Sequence, residues 1–148
     1  MKKNRVRAIA ICVFRNADRI LVAEGFDEIK NQKFYRPLGG TIEFGEYSDE
    51  TVRRELMEEI QVEVSDLRYL GTLENIFTFN GEKGHEVVFV YDGKLINTAL
   101  YEKDVLQGDE LGTPFWAVWF DLRTLGPNSP LLYPTGLAEL LNKTKSPA

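Results

Sequence analysis

At 148 residues with 43% hydrophobic content, the chain has the size and apolar share of one globular domain, residues 1–148, and nothing in it calls for a second. Its formal net charge of −5 argues against nucleic acid as a partner, since broad attraction to phosphates needs a basic surface that displaces counterions. The apolar stretch Ala8 to Phe14 is closed by Arg15 well short of membrane-spanning length and no signal peptide is seen, so a membrane partner is excluded and a cytoplasmic location is expected.

Val6 to Phe14 is almost continuously apolar, Asn16 to Asp18 supplies turn residues, and Ile20 to Ala23 is apolar again, which predicts an opening buried β-hairpin. Cys12, the single cysteine, lies inside this run; it cannot close an internal disulfide and reads as a small core residue. Phe34 to Leu38 is a short extended segment in which Pro37 keeps Arg36 out of helical conformation, and Gly39-Gly40 then frees the backbone for an unusual turn.

Ser48 to Ile60 is predicted as a helix, with Tyr47 or Ser48 at its N-cap and Asp49 and Glu50 favourable in its first turn. Leu67 to Phe79 and Val87 to Tyr91 flank the turn dipeptide Asn80-Gly81, a second hairpin signal. Asn97 to Gly112 is acidic and mixed and reads as a surface loop over a site, while Phe115 to Phe120 reads as a strand carrying both tryptophans. Leu137, Leu140 and Leu141 recur at helical spacing before the polar tail Lys143 to Ala148. Hairpins without regular βαβ units predict an α+β domain in which helices pack on a mixed sheet.

The chemistry is concentrated between Gly39 and Val62, where seven carboxylates fall: Glu43, Glu46, Asp49, Glu50, Glu55, Glu58 and Glu59. At about 100° per residue, Val52, Leu56 and Ile60 form the core-facing stripe, and Glu59 and Glu55 fall immediately beside it rather than opposite. A solvated charged face is the usual meaning of such a run. Here, however, Glu55 and Glu59 are like charges at i and i+4 without a basic residue four positions after either, which is unfavourable unless a cation lies between them. Arg54, four residues before Glu58, could orient that glutamate or neutralise part of the cluster. Gly39 and Gly40 carry no side chain, so a backbone carbonyl can approach the same cation, and Gly45 permits the bend that returns Glu46 toward the helix.

Gly40, Glu46, Arg54, Glu55, Leu56, Glu58, Glu59 and Val62 together resemble the Nudix box, G-x5-E-x7-R-E-U-x-E-E-x-G-U with U a bulky apolar residue. One position departs: Gln61 stands where the family usually has glycine, at what looks like the left-handed residue closing the helix. The resemblance implies an α/β/α sandwich with a mixed β-sheet and the box as loop-helix-loop. It also implies a Mg²⁺-dependent hydrolase, with Mn²⁺ as the alternative ion, cutting a phosphoanhydride bond in a nucleoside diphosphate linked to another moiety. In this reading Glu55 and Glu59 are the leading metal ligands, supported by the Gly40 carbonyl and Glu46. Glu58 is a ligand through water or the general base, and Arg54 is an orienting catalytic residue.

Outside the box, Glu102, Asp104 and Glu110 are loop candidates for the base. Arg36, Gly39 and His85 are the candidate substrate contacts, Arg36 for a phosphate or a base and His85 from a sheet-side pocket. Tyr35, Phe79, Phe89, Trp116 and Trp119 could stack a nucleobase, though aromatic residues in strands usually serve the core. The competing class is a non-catalytic nucleotide-binding sensor of the same fold, against which the intact Arg54-Glu55 and Glu58-Glu59 pairs argue. A prenyl-diphosphate isomerase would look for a catalytic cysteine, and Cys12 in a buried first strand is poorly placed for it. A small nucleotide is the expected partner, and the apolar content allows a homodimer.

Overall fold

The structure is a computed structural model, and it describes residues 4–144. The end of the polar tail, residues 145–148, and the first three residues lie outside that range. The opening hairpin forms, but only at its turn: β1 (Val6–Asn16) and β2 (Arg19–Asp27) pair at Arg15↔Ile20 and Asn16↔Arg19 and then part company. From there β1 joins one sheet and β2 another. β1 runs parallel to β6 (Glu82–Leu95) and antiparallel to the short β4 (Leu38–Thr41), with β5 (Val64–Phe79) beyond β6. β2 pairs with β3 (Gln32–Arg36) and with β8 (Thr113–Asp121), and β3 carries the two-residue β9 (Leu131–Leu132).

Pro37 separates β3 from β4 and so carries the chain from the second sheet to the first. Proline suits that crossing because it has no N–H to offer a ladder and holds its predecessor extended. Immediately afterwards Gly39 packs flat on β1, where a β-carbon would overlap the Ala10 carbonyl oxygen.

The segment 97–112, expected to be a loop, is corrected by the structure. It contains a 3-10 turn, Thr98–Glu102, and a strand, β7 (Val105–Glu110), paired with β8 through a tight hairpin at Leu111 and Gly112. Its polar composition concealed a short edge strand in which Leu106 and Gly108 alternate inward against exposed neighbours.

Alternation along β1 supplies two cores. Ala10, Cys12 and Phe14 face α1 (Ser48–Ile60), where they meet Val52 and Leu56, while Ile9, Ile11 and Val13 lie on the other face beside Val88 and Val90 and pack with the helix α2 (Leu137–Lys143). The result is an α+β sandwich with a helix on each side of a mixed sheet. Burial pushes the Cys12 thiol well above its ordinary range, in keeping with a packing role. No helix among the described residues is long and apolar enough to cross a membrane.

Candidate active site

The acidic helix begins at Tyr47, whose backbone N–H donates to Glu50 Oε1 at 2.8 Å. It ends at Gln61, which takes the left-handed conformation at φ 57° and ψ 43° while its N–H returns to the Met57 carbonyl. The expected core stripe is the buried one: Val52 and Leu56 are fully inaccessible. Glu59, at the edge of that stripe, is drawn in with them and is only 8% exposed.

Arg54 organises the acidic cluster. Its Nε donates to Glu46 Oε2 at 2.8 Å and its Nη2 to Glu46 Oε1 at 3.0 Å, a bidentate pair that the Thr51 hydroxyl extends at 2.6 Å. The same guanidinium reaches Glu55 Oε1 at 2.9 Å, Glu58 Oε2 at 3.3 Å and the Thr41 carbonyl at 3.0 Å. Hydrogen bonds from Arg54 hold the Glu46 carboxyl down at about 2. Both Glu46 oxygens are thus engaged by Arg54 and Thr51, so within this arrangement Glu46 locks the box loop to the helix.

Glu55 and Glu59 lie deeper. Burial raises the Glu55 pKa against the pull of Arg54. Burial, then the charges of Glu55 and Glu110, push Glu59 up to about 8, with Arg36 and the Gly39 amide pulling the other way. Glu59 Oε1 is buried without a hydrogen-bond partner. A buried carboxylate that is left half satisfied beside a second carboxylate is costly by itself and becomes favourable when a hard cation binds between oxygen donors. Gly40 takes part sterically, since a β-carbon there would overlap the Glu55 carboxylate. Among the described residues no three ligating side chains are gathered closely enough to chelate an ion as they stand; Arg54 draws Glu46, Glu55 and Glu58 to itself.

Glu59 and Gly39 open onto a cleft of about 570 Å³ that runs between the two sheets and is also lined by Arg36 and Glu110. Glu110 therefore reaches the site from the end of a strand, whereas Glu102 and Asp104 are solvent-exposed and line no part of the cleft. His85 sits on β6 with its neighbour Glu86 turned to the opposite face, and Glu86, not His85, lines the cleft. The aromatic candidates divide as well. Phe79 lines the cleft, but Trp119 stacks on Tyr101 with centroids 5.4 Å apart and Tyr35 tilts on Phe120 at 5.1 Å, both in the core.

Sequence reasoning passed over Arg7, Asn75 and Glu86 in that cleft. The signal was parity along the strand, because Glu86, Val88 and Val90 share one buried face.

Comparison with known proteins agrees with this architecture. The family model of the NUDIX domain matches residues 3–141. A MutT NUDIX hydrolase from Burkholderia pseudomallei is similar at 21% identity and a TM-score of 0.62, over 95% of this chain and 100% of that one. The E. coli ORF135 protein matches at 17% identity and a TM-score of 0.54, over 94% and 90% of the two chains. A structure described as an ADP compounds hydrolase matches at 21% identity and 0.51, over 80% and 58%. A family model spanning nearly the whole chain, together with the Arg54 cluster and the buried glutamates beside the cleft, means that the chain belongs to the Nudix family and is a Nudix-type pyrophosphohydrolase.

Proposed function

We propose that this protein hydrolyses a phosphoanhydride bond in a nucleoside diphosphate linked to another moiety, with Mg²⁺ as its cofactor and Mn²⁺ as the alternative. The observation that carries the reading is Glu59, a buried carboxylate with one unpartnered oxygen, beside Glu55 and at the wall of the cleft. Oxygen donors of this kind fit a hard divalent cation, and Glu59, Glu55 and the Gly40 carbonyl are the groups that would hold it, with Glu58 joining through water. When bound there, such an ion supplies neutralisation of phosphate oxygens and a water of lowered pKa.

The chain's own residues do the rest. Arg36, in the cleft and close enough to act on the Glu59 charge, binds a phosphate oxygen of the substrate. Arg54, anchored by Glu46, holds Glu55 and Glu58 in position. Water attacks phosphorus, the bridging P–O bond breaks, and the proton from the water passes to a carboxylate, for which Glu58 and Glu110 are the candidates. The products are a nucleoside monophosphate and the phosphorylated second moiety.

The test is a hydrolysis screen with and without Mg²⁺ across nucleoside triphosphates, nucleotide sugars, ADP-ribose and dinucleoside polyphosphates, with Glu59→Gln run beside the wild type. Metal-dependent turnover that the substitution abolishes supports the reading. Nucleotide binding with no turnover in the wild type would replace it with the sensor.

A further inference from the structure

Three polar residues form a row across the floor of the cleft. Arg7 on β1 is the register partner of Glu86 on β6, and Glu86 is the register partner of Asn75 on β5. Residues so paired carry side chains on one face with strands about 4.8 Å apart, so the row presents a donor, an acceptor and a donor side by side. All three line the cleft. Asn75 and Glu86 are only 4% and 5% exposed, and buried polar groups are informative in a way that surface charges are not.

Each member is held. Arg7 Nη2 donates to Glu86 Oε2 at 2.9 Å. Asn75 Oδ1 accepts from the Thr135 N–H and hydroxyl, both at 3.3 Å, which fixes the amide's orientation and leaves Nδ2 as its donor end. Among the described residues no side chain engages Glu86 Oε1, and a carboxylate has about four lone-pair sites in all.

Flat rings border the row. Phe34 on β3 lies across Gly25 of β2, and Phe77 on β5 lies across Gly84 of β6, each so close that a β-carbon on the glycine would strike the ring. Tyr133 contacts both rings, at centroid distances of 5.6 and 6.4 Å. The cleft therefore offers planar apolar surfaces from both sheets beside one hydrogen-bonding edge, which suits a heterocycle lying flat.

Along β1, the partners of Gly39 and Gly40 are Ile11 and Ala10, four and three residues from Arg7. That is roughly 10–13 Å at strand rise, a span that a ribose can bridge between phosphates at the glutamates and a base at the row.

Resting on the hydrolase reading above, we propose that Arg7, Glu86 and Asn75 read the base of the substrate and select a guanine-type edge, with Glu86 as the specificity-determining residue. Guanine presents two adjacent N–H donors, at N1 and the exocyclic amino group, and a carboxylate accepts both; its O6 then takes the Asn75 or Arg7 donor beside it. Adenine and cytosine present one donor next to an acceptor, and uracil a single donor between acceptors, so each would set an acceptor against Glu86. A site built to accept hydrogen bonds discriminates strongly against a ligand that cannot donate them.

The experiment is calorimetric titration of the full chain with GDP, ADP and IDP, alongside the hydrolysis screen. IDP keeps N1–H and O6 but lacks the amino group, so it removes one donor without altering the protein. GDP is expected to bind at least about tenfold more tightly than either ADP or IDP. Glu86→Gln, which replaces an acceptor with a donor, is expected to narrow the ratio of GDP to ADP affinity toward one. If the three bind within about twofold of one another while Glu59-dependent hydrolysis proceeds, base reading is overturned and the hydrolase stands. Guanine-selective binding without hydrolysis of any substrate would sink the hydrolase reading alone, and failure to bind any of the three overturns the base assignment.

Discussion

The Glu55 carboxylate lies directly against the Cα of Gly40, in the space that a β-carbon at that position would take. Loop and helix are thereby built around each other, and the smallest substitution tests it. Gly40→Ala must displace Glu55 or the loop by the better part of an ångström, and misplacement on that scale costs on the order of 10²-fold in rate. Steady-state kinetics should show that fall in kcat with the circular dichroism spectrum retained. Full activity in the alanine variant would mean that the Glu55 position is immaterial.

The elevated Glu59 pKa of about 8 has a defined sign for stability. In the unfolded chain this glutamate ionises near 4.3, so between that pH and about 8 the folded state holds a proton that the unfolded state has lost. Metal-free protein should therefore lose stability as pH rises through that window, by roughly 2–5 kcal/mol, and be flat above it. Urea unfolding at pH 5, 7 and 9 in the presence of chelator measures the trend, and Glu59→Gln should flatten it. Because a cation must displace the same proton, Mg²⁺ affinity should climb with pH up to about 8.

Glu46 works in the opposite direction, and at a different pH. Its carboxyl is held down at about 2, so the stability it contributes is present above its unfolded value and disappears as pH falls from about 4.3 toward 2. Arg54 is the cause, and lysine cannot reproduce a planar fork that reaches Glu46 twice along with Glu55 and Glu58. Arg54→Lys should reduce kcat by roughly 10–100-fold and weaken Mg²⁺ binding, since Glu55 would be left free to rotate. It should also shift the acid unfolding midpoint upward, which a scan of far-ultraviolet dichroism between pH 2 and 5 would record. An unchanged midpoint would show that Glu46 owes its low pKa to something else.

How far the site could be read in advance follows from where its parts lie in the chain. Gly40 through Glu59 are close in sequence, and helical geometry alone brought Glu55 and Glu59 to the edge of the buried stripe where they are found. The pairing of the strands was less accessible. β1 and β2 look like one hairpin, yet β1 runs parallel to β6, far along the chain, a pairing with no turn signal to announce it. β7 was hidden by its polar residues, and with it the route by which Glu110 enters the cleft. Asn75 and Glu86 sit opposite each other across the Asn80-Gly81 hairpin, but Arg7 joins them only through the parallel pairing of β1 with β6, which no local pattern announces.

Gln61 closes the acidic helix at the position where a glycine would be free of strain. The residue adopts φ 57°, a left-handed conformation that costs a residue with a β-carbon roughly 1 kcal/mol relative to glycine. Its side chain is exposed and makes none of the contacts that fix Arg54 or Glu55, so the cost falls on the helix end and not on the acidic cluster. Gln61→Gly should accordingly raise the unfolding free energy by about 1 kcal/mol, or a Tm increase of about 2–4 °C for a domain of this size. Calorimetry measures the gain, and kcat should stay within about twofold, since nothing that touches the cleft moves. A loss of stability on introducing glycine would mean that Gln61 contributes a favourable interaction at the helix end that outweighs its backbone strain.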